Sequence, residues 1–204
     1  MDPVQRTDDE LLAAWRTGDA VAADALFSRH FDALYRFFRN KVDDASDDLV
    51  QRTLLACFEG RERFRGECSF RTYLFAIARN QLLVFLAAKR SNRVVDPATA
   101  SVADAAPSPS EVLSHRREQA LVLHALRHLA IDHQVLLELF YWEQLSGPEL
   151  AEVLGVAEGT IRTRLRRARQ LLAAEIEAVG ASPELLQSTL SDLDGWAAKL
   201  RASQ

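Results

Sequence analysis

Residues 146–172, SGPELAEVLGVAEGTIRTRLRRARQLL, leave the backbone few choices. Ser146 can cap a helix, and Glu149 can close a capping box with it. Pro148 falls in the first turn, where its missing N–H costs nothing. Leu150, Ala151, Val153 and Leu154 follow, and Gly155 stops the helix, as expected of a residue that must reach φ > 0. After a short turn a second helix starts near Glu158. Small Ala151 lets two helices approach, Gly155 turns the chain sharply, and Ile161 packs the second helix on the first. The segment reads as a helix-turn-helix.

Placing the second helix at about 100° per residue divides its surface in two. Ile161, Leu165, Ala168 and Leu172 fall on one line and form a buried stripe. Gly159, Thr163, Arg166 and Gln170 lie opposite, with Arg167 beside them. Arg162 and Arg169 flank one side of the stripe, and Thr160 and Arg164 the other. The outward face has the chemistry of a major-groove reader: arginines for guanine edges, Thr and Gln for other edges, flanking arginines for phosphates. Thr160, Arg162, Thr163, Arg164, Arg166, Arg167 and Gln170 are therefore the candidate duplex-DNA contacts. An ordinary solvated helix is the competing reading, but these arginines have no set of acidic partners at i, i+4.

This positive charge stands in a chain whose formal net charge is −4. Residues 1–60 carry 7 basic and 12 acidic side chains, residues 61–93 carry 8 and 2, and residues 156–172 carry 5 and 1. Two separated basic segments give two contact points for a polyanion, and the acidic remainder offers a surface to something else.

The apolar pattern is helical wherever it is regular. Thr7-Asp8-Asp9-Glu10 is a capping box opening LLAAWR, and Asp19 can cap a second helix carrying Val21, Ala25, Leu26, Phe31, Leu34, Phe37 and Phe38. Ser46 can cap a third, with Leu49, Val50, Thr53, Leu54 and Cys57 at helical spacing. Gly66 breaks the chain. Ser69 then opens a long fourth helix with Phe70, Leu74, Ile77, Leu82, Phe85 and Leu86 as its apolar positions. Phe64, Phe70, Tyr73 and Phe75 are aromatic faces for bases on one reading, with Phe70 and Tyr73 better placed in the core. Beyond them Ala, Ser, Pro and Asp take over, the composition of a flexible linker. The chain is thus expected to be all-α. Residues 1–95 form an N-terminal four-helix domain, 96–115 the linker, and 116–178 a C-terminal helix-turn-helix domain. Residues 179–204 form a helical extension, which Ser182-Pro183-Glu184 can open and whose apolar positions are Leu186, Leu190, Leu193 and Leu200.

Other classes find little support. The two cysteines, Cys57 and Cys68, have neither C-x-x-C spacing nor clustered partners, so a reducing cytoplasm is the natural setting. The first residues, MDPVQRTDDELL, lack the basic and apolar regions of a signal peptide, and no apolar run is long enough to span a membrane. His124 and His128 share a helix face, but without an H-E-x-x-H glutamate or a nearby cysteine they read as surface histidines. No nucleophile–base constellation is visible, and neither metal nor cofactor is expected.

Three stretches together resemble the extracytoplasmic-function sigma factors of the sigma-70 family. GTIRTRLRRAR is similar to that family's GTVKSRLHRAR, FRGECSFRTYLFAIARN to its FRGEASFRTWLYRIARN, and DASDDLVQRTLLACFE to its DAEDLVQETFLRAW. The resemblance covers residues 7 to 175 and implies a non-enzymatic job. Such a protein binds bacterial core RNA polymerase, directs it to promoters and opens the DNA. Asp47, Asp48, Leu49, Val50, Gln51 and Thr53 correspond to the helix that docks on the clamp coiled coil of the largest polymerase subunit. Asp43, Asp44, Asp47 and Asp48 offer carboxylates to partner arginines there, or simply favour a helix N-terminus. Residues 61–93 become the segment that reads and melts the minus-ten element, with Arg63, Arg65, Arg71, Tyr73, Arg79, Asn80, Lys89 and Arg90 as contacts. The helix-turn-helix reads the minus-thirty-five element.

This chain also departs from the family pattern. Tyr73 stands where Trp is usual, and Val84 where an Asp commonly follows the Asn by four residues. LAAKRSNR thins a normally dense arginine run. Ala130 and His133 replace a usual proline and arginine without evident effect. These departures keep a second reading open: a sigma-like interaction protein that binds polymerase or an anti-sigma factor but initiates poorly. The free protein is expected to be a monomer, with an anti-sigma factor or similar regulator as a further partner.

Overall fold

The computed structural model describes residues 6–42, 44–62, 64, 66–93 and 122–178. Arg63 and Arg65, Asp43, the 96–115 linker and the 179–204 extension lie outside the described residues. Those that are described form helices and connections, with no strand among them. The chain divides into two compact units, residues 1–91 with 152–155 and residues 92–151 with 156–204.

The first unit begins with α1 (Asp8–Arg16), α2 (Ala20–Arg39) and α3 (Ser46–Gly60), and ends with α4 (Phe70–Arg93). Thr7 and Glu10 form the expected reciprocal box: the Glu10 carboxylate accepts from Thr7 N–H at 2.7 Å, and Thr7 Oγ1 from Glu10 N–H at 3.3 Å. Gly18, at φ +100°, turns the chain so that Asp19 caps α2, accepting from the Val21 and Ala22 N–H groups. Buried residues recur along α2 at Ala22, Leu26, His30, Leu34, Phe37 and Phe38, a spacing of three or four that lays one face on its neighbours. Packing of α1 on α2 and of α2 on α3 builds the core of this unit.

An aromatic cluster ties α1, α2 and α4 together. Phe70 is fully buried, with its ring 6.4 Å from Trp15, 5.9 Å from Phe27 and 5.6 Å from His30. Emptying such a site costs about 3–5 kcal/mol for Phe→Ala. Ser69 opens α4 as expected, its hydroxyl accepting from Thr72 N–H at 3.1 Å. Along α4 the core positions are Phe70, Leu74, Phe75, Ala78 and Leu82, while Ile77, Phe85 and Leu86 are only half-buried. Phe75 is therefore a core residue.

Ser46 behaves differently from its expected role. It is the first residue of α3, Ala45 holds the cap position without a side-chain bond, and the Ser46 hydroxyl donates back to Val42 C=O at 2.9 Å. The hydroxyl is consumed by the preceding turn, so it cannot cap. At the other end of α3, a Cβ on Gly60 would collide with the Tyr73 hydroxyl, and the ring of Tyr73 rests on that of Phe64 at 4.6 Å.

Beyond residue 121 the described helices are one over residues 122–128 (α5), α6 (Ile131–Tyr141), α7 (Gly147–Leu154) and α8 (Glu158–Ala178). α6 is buried almost all round: Val135, Leu136, Leu137, Leu139 and Tyr141 are all in the core, and the helix packs on α8. Gln144, at φ +52°, lets the chain leave α6 for α7, and Leu145 N–H reaches back to Leu139 C=O.

Candidate nucleic-acid and protein interfaces

The helix-turn-helix is built by local chemistry. Ser146 N–H and its hydroxyl both donate to the Glu149 carboxylate, at 2.9 and 2.7 Å, which fixes the start of α7. Ala151 is buried, and Gly155 has φ +64°, so Val156 N–H can return to Ala151 C=O at 3.0 Å. Ile161, Leu165, Ala168 and Leu172 are buried, and Ile176 extends the same stripe. Arg162, Thr163, Arg166, Arg167 and Gln170 are exposed, whereas Thr160 and Arg164 are half-buried on its shoulder. No carboxylate among the described residues pairs with Arg162, Arg164, Arg166 or Arg167. Four cations on one helix, each without a carboxylate partner among the described residues, repel one another until a polyanion is present.

Arg169 differs from Arg162, its expected fellow in phosphate contact. Its Nε donates to the Tyr141 hydroxyl, and the guanidinium lies 5.7 Å from the Phe140 ring centre and 5.4 Å from that of Tyr141. This arginine braces α8 against α6.

On α3 the structure corrects half of the expected docking set. Leu49, Val50 and Thr53 are buried at 0%, 3% and 0% exposure, and the Thr53 hydroxyl donates to Leu49 C=O at 2.7 Å. They hold α3 in its own unit and cannot touch a partner. Asp47, Asp48 and Gln51 are exposed on the other side. Asp48 pairs with Arg52 one turn on, through Arg52 Nε at 3.0 Å and a second nitrogen at 2.9 Å. The same outer side carries two residues that sequence reasoning missed: Leu55, 57% exposed, and Phe58, 48% exposed. Two large apolar groups thus face water on the side of α3 that carries Asp47 and Asp48.

The basic residues of α4 fall in two pairs. By helical position Arg79 and Arg90 share one flank, and Arg71 and Lys89 lie together roughly a quarter-turn away from it. Arg71 lies near the Phe75 ring and Lys89 near that of Phe85, with centroid distances of 5.9 and 6.0 Å. On the far side of the helix from Arg71 and Lys89 runs a stripe of Tyr73, Ile77, Asn80, Val84 and Ala87, of which Asn80 and Val84 are exposed and Tyr73 half-buried. An apolar line with one amide suits base faces better than phosphates.

No group of three or more metal-binding side chains occurs among the described residues. His128 Nδ1 lies 3.0 Å from His124 C=O, one turn back on α5. No helix among the described residues is long and apolar enough to cross a membrane.

Comparison with known proteins agrees with this geometry. Sigma-70 region 2 matches residues 26–92, which hold the faces on α3 and α4, and Sigma-70 region 4 matches residues 119–172, which hold the helix-turn-helix. The two units are those of a sigma-70-type transcription initiation factor. The ECF RNA polymerase sigma factor SigM of Mycobacterium tuberculosis is 32% identical over 171 residues, covering 83% of this chain and 84% of the relative. SigL of the same species is 29% identical over 175 residues, covering 82% and 98%. The chain belongs to the extracytoplasmic-function (ECF) RNA polymerase sigma factors. Among solved structures, CnrH in complex with the cytosolic domain of CnrY gives a TM-score of 0.62 at 26% identity, covering 84% of this chain and 97% of that one. RpoE of Bartonella quintana in complex with the anti-sigma factor NepR gives 0.58 at 25% identity, covering 74% and 94%.

Proposed function

We propose that this chain directs bacterial core RNA polymerase to promoters in the cytoplasm, as a specificity subunit with no catalytic chemistry or cofactor of its own. The observation that carries the reading is the outward face of α8: Arg162, Arg164, Arg166 and Arg167 without carboxylate partners among the described residues, beside exposed Thr163 and Gln170. In this reading α8 enters the major groove of the minus-thirty-five duplex, and Thr160 and Arg164 reach its edge. The α4 stripe around Asn80 receives unstacked bases of the minus-ten region, with Arg79 and Arg90 on one flank for the displaced backbone. The α3 face of Asp47, Asp48 and Gln51, together with Leu55 and Phe58, docks on the largest polymerase subunit. An anti-sigma factor is the regulator to expect, since CnrH and the Bartonella RpoE are both seen in complexes, the latter with its anti-sigma factor.

Run-off transcription with bacterial core polymerase tests this. A promoter-specific transcript that depends on the chain is the expected result. Tight core binding without such a transcript favours the second reading, an interaction protein that initiates poorly. Exposed Val84 on the Asn80 stripe supports that alternative, because it puts an apolar group where the family commonly has Asp.

A further inference from the structure

One pair of side chains has no part in the faces described above. His124 and His128 stand one turn apart on α5, and both are exposed. Their ring centres lie 4.4 Å apart, with the planes inclined at 54°. The sequence alone reads them as surface histidines. The structure adds a tautomer and an angle.

The tautomer follows from one hydrogen bond. His128 Nδ1 lies 3.0 Å from the His124 carbonyl oxygen. A carbonyl only accepts, so Nδ1 carries the proton and donates. In the neutral ring Nε2 then holds the lone pair. A bond from the other ring nitrogen to a backbone carbonyl is what sets the tautomer and direction of a metal-binding imidazole.

The angle follows from the ring spacing. An imidazole nitrogen sits about 2.0–2.1 Å from a bound divalent metal, which puts the ring centre about 3.2 Å from it. Two centres 4.4 Å apart then subtend nearly a right angle at a shared ion. A right angle belongs to neighbouring positions of a square-planar or tetragonal sphere, the geometry of copper(II) and nickel(II), whereas tetrahedral zinc spreads its ligands wider. The two cysteines, whose softer sulfur suits zinc, both fall in the other compact unit. No third His, Cys, Asp or Glu among the described residues joins the pair in a metal-binding group.

We propose that His124 and His128 form a two-histidine site for a copper(II) or nickel(II) ion, with water in its remaining positions. Both ligands lie on one turn, so the ion closes that turn and favours the helical form of α5 over any other. The site is independent of what α3, α4 and α8 bind.

The test uses the full chain without an added histidine tag, stripped of metal with EDTA, and nickel(II) chloride as the probe. Isothermal titration is expected to give one nickel per chain. His124→Gln and His128→Gln should each weaken binding about tenfold or more. Both variants should fold, because the rings are exposed. His133→Gln, on α6, should bind nickel as the unaltered chain does. Zinc(II) chloride should bind more weakly than nickel. Copper(II) at less than one equivalent gives a second readout: its electron paramagnetic resonance should show two imidazole nitrogens on the ion, and one in either variant. Unchanged nickel affinity in His124→Gln or in His128→Gln overturns the site, because the ion then does without that ring. One nickel per two chains makes the ion a bridge between copies and also overturns it. Zinc bound more tightly than nickel, or a single imidazole nitrogen on copper in the unaltered chain, overturns the right-angled pair.

Discussion

The imidazole of His30 meets the carboxylate of Asp8 at 2.6 Å, joining the first turn of α1 to the middle of α2. Asp8 also holds Arg29 at 2.6 Å, so one carboxylate serves two residues of α2. His30 is buried at 8% exposure, and its ring borders Phe70. Removing the carboxylate leaves a buried ring nitrogen without this acceptor, which costs about 1–3 kcal/mol. Asp8→Ala should lower the stability of the full chain by that order in urea unfolding. Asp9→Ala, on the exposed side of α1, should change it little.

On α8, Arg166→Ala and Arg167→Ala should weaken minus-thirty-five binding without unfolding the unit, because both side chains are exposed. An arginine on a base edge is worth about 1–3 kcal/mol of discrimination, whereas a phosphate contact reduces the salt slope by about 1. Affinity measured across a salt series on matched and mismatched duplexes sorts the two roles. A variant with unaltered affinity and slope has no place in the interface.

For α3, Asp48→Arg should abolish binding to core polymerase and spare duplex DNA binding. Leu55→Asp and Phe58→Asp should do the same, since both change an exposed apolar residue on the same helix. Co-purification with core polymerase and a gel-shift on duplex DNA read the two activities separately. Normal core affinity in Asp48→Arg would refute the docking assignment.

Burial pushes the Cys57 thiol up to about 12 from its ordinary 9.0, so it stays protonated at neutral pH. Its contribution to stability is present below pH 9 and is lost progressively as pH rises towards about 12, because the unfolded thiol ionises first. Half-buried Cys68 should therefore react with a thiol reagent at pH 8 well before Cys57, as peptide mass mapping of the modified chain can show.

The parts of this structure that were legible in the sequence are local ones. The caps at Thr7, Asp19 and Ser69, the turn at Gly155 and the buried stripe of α8 each follow from residues within a few positions of one another. Side chains whose partners are distant in sequence were harder to place. Arg169 meets Tyr141, 28 residues away, and nothing near it in the chain signals that brace. On α3, the motif around LVQRT combined residues that hold the helix with residues that face outward. Leu49, Val50 and Thr53 went to the core, while Leu55 and Phe58, equally apolar in sequence, face water. The packing of α3 on α2 helps decide which apolar side of α3 is covered. Arg63 and Arg65 lie outside the described residues, and so does the linker.

The collision that forbids a Cβ at Gly60 links two positions in the evolution of this chain. Tyr73, fixed by the Phe64 ring, occupies the space a side chain at residue 60 would need. A descendant can gain a side chain at 60 once 73 has lost its hydroxyl, as in Phe, or has shifted, since the ring carbon that bears it lies at an ordinary 3.7 Å. Geometry couples the two positions through one hydroxyl oxygen, and a lineage that keeps tyrosine at 73 in this pose keeps glycine at 60.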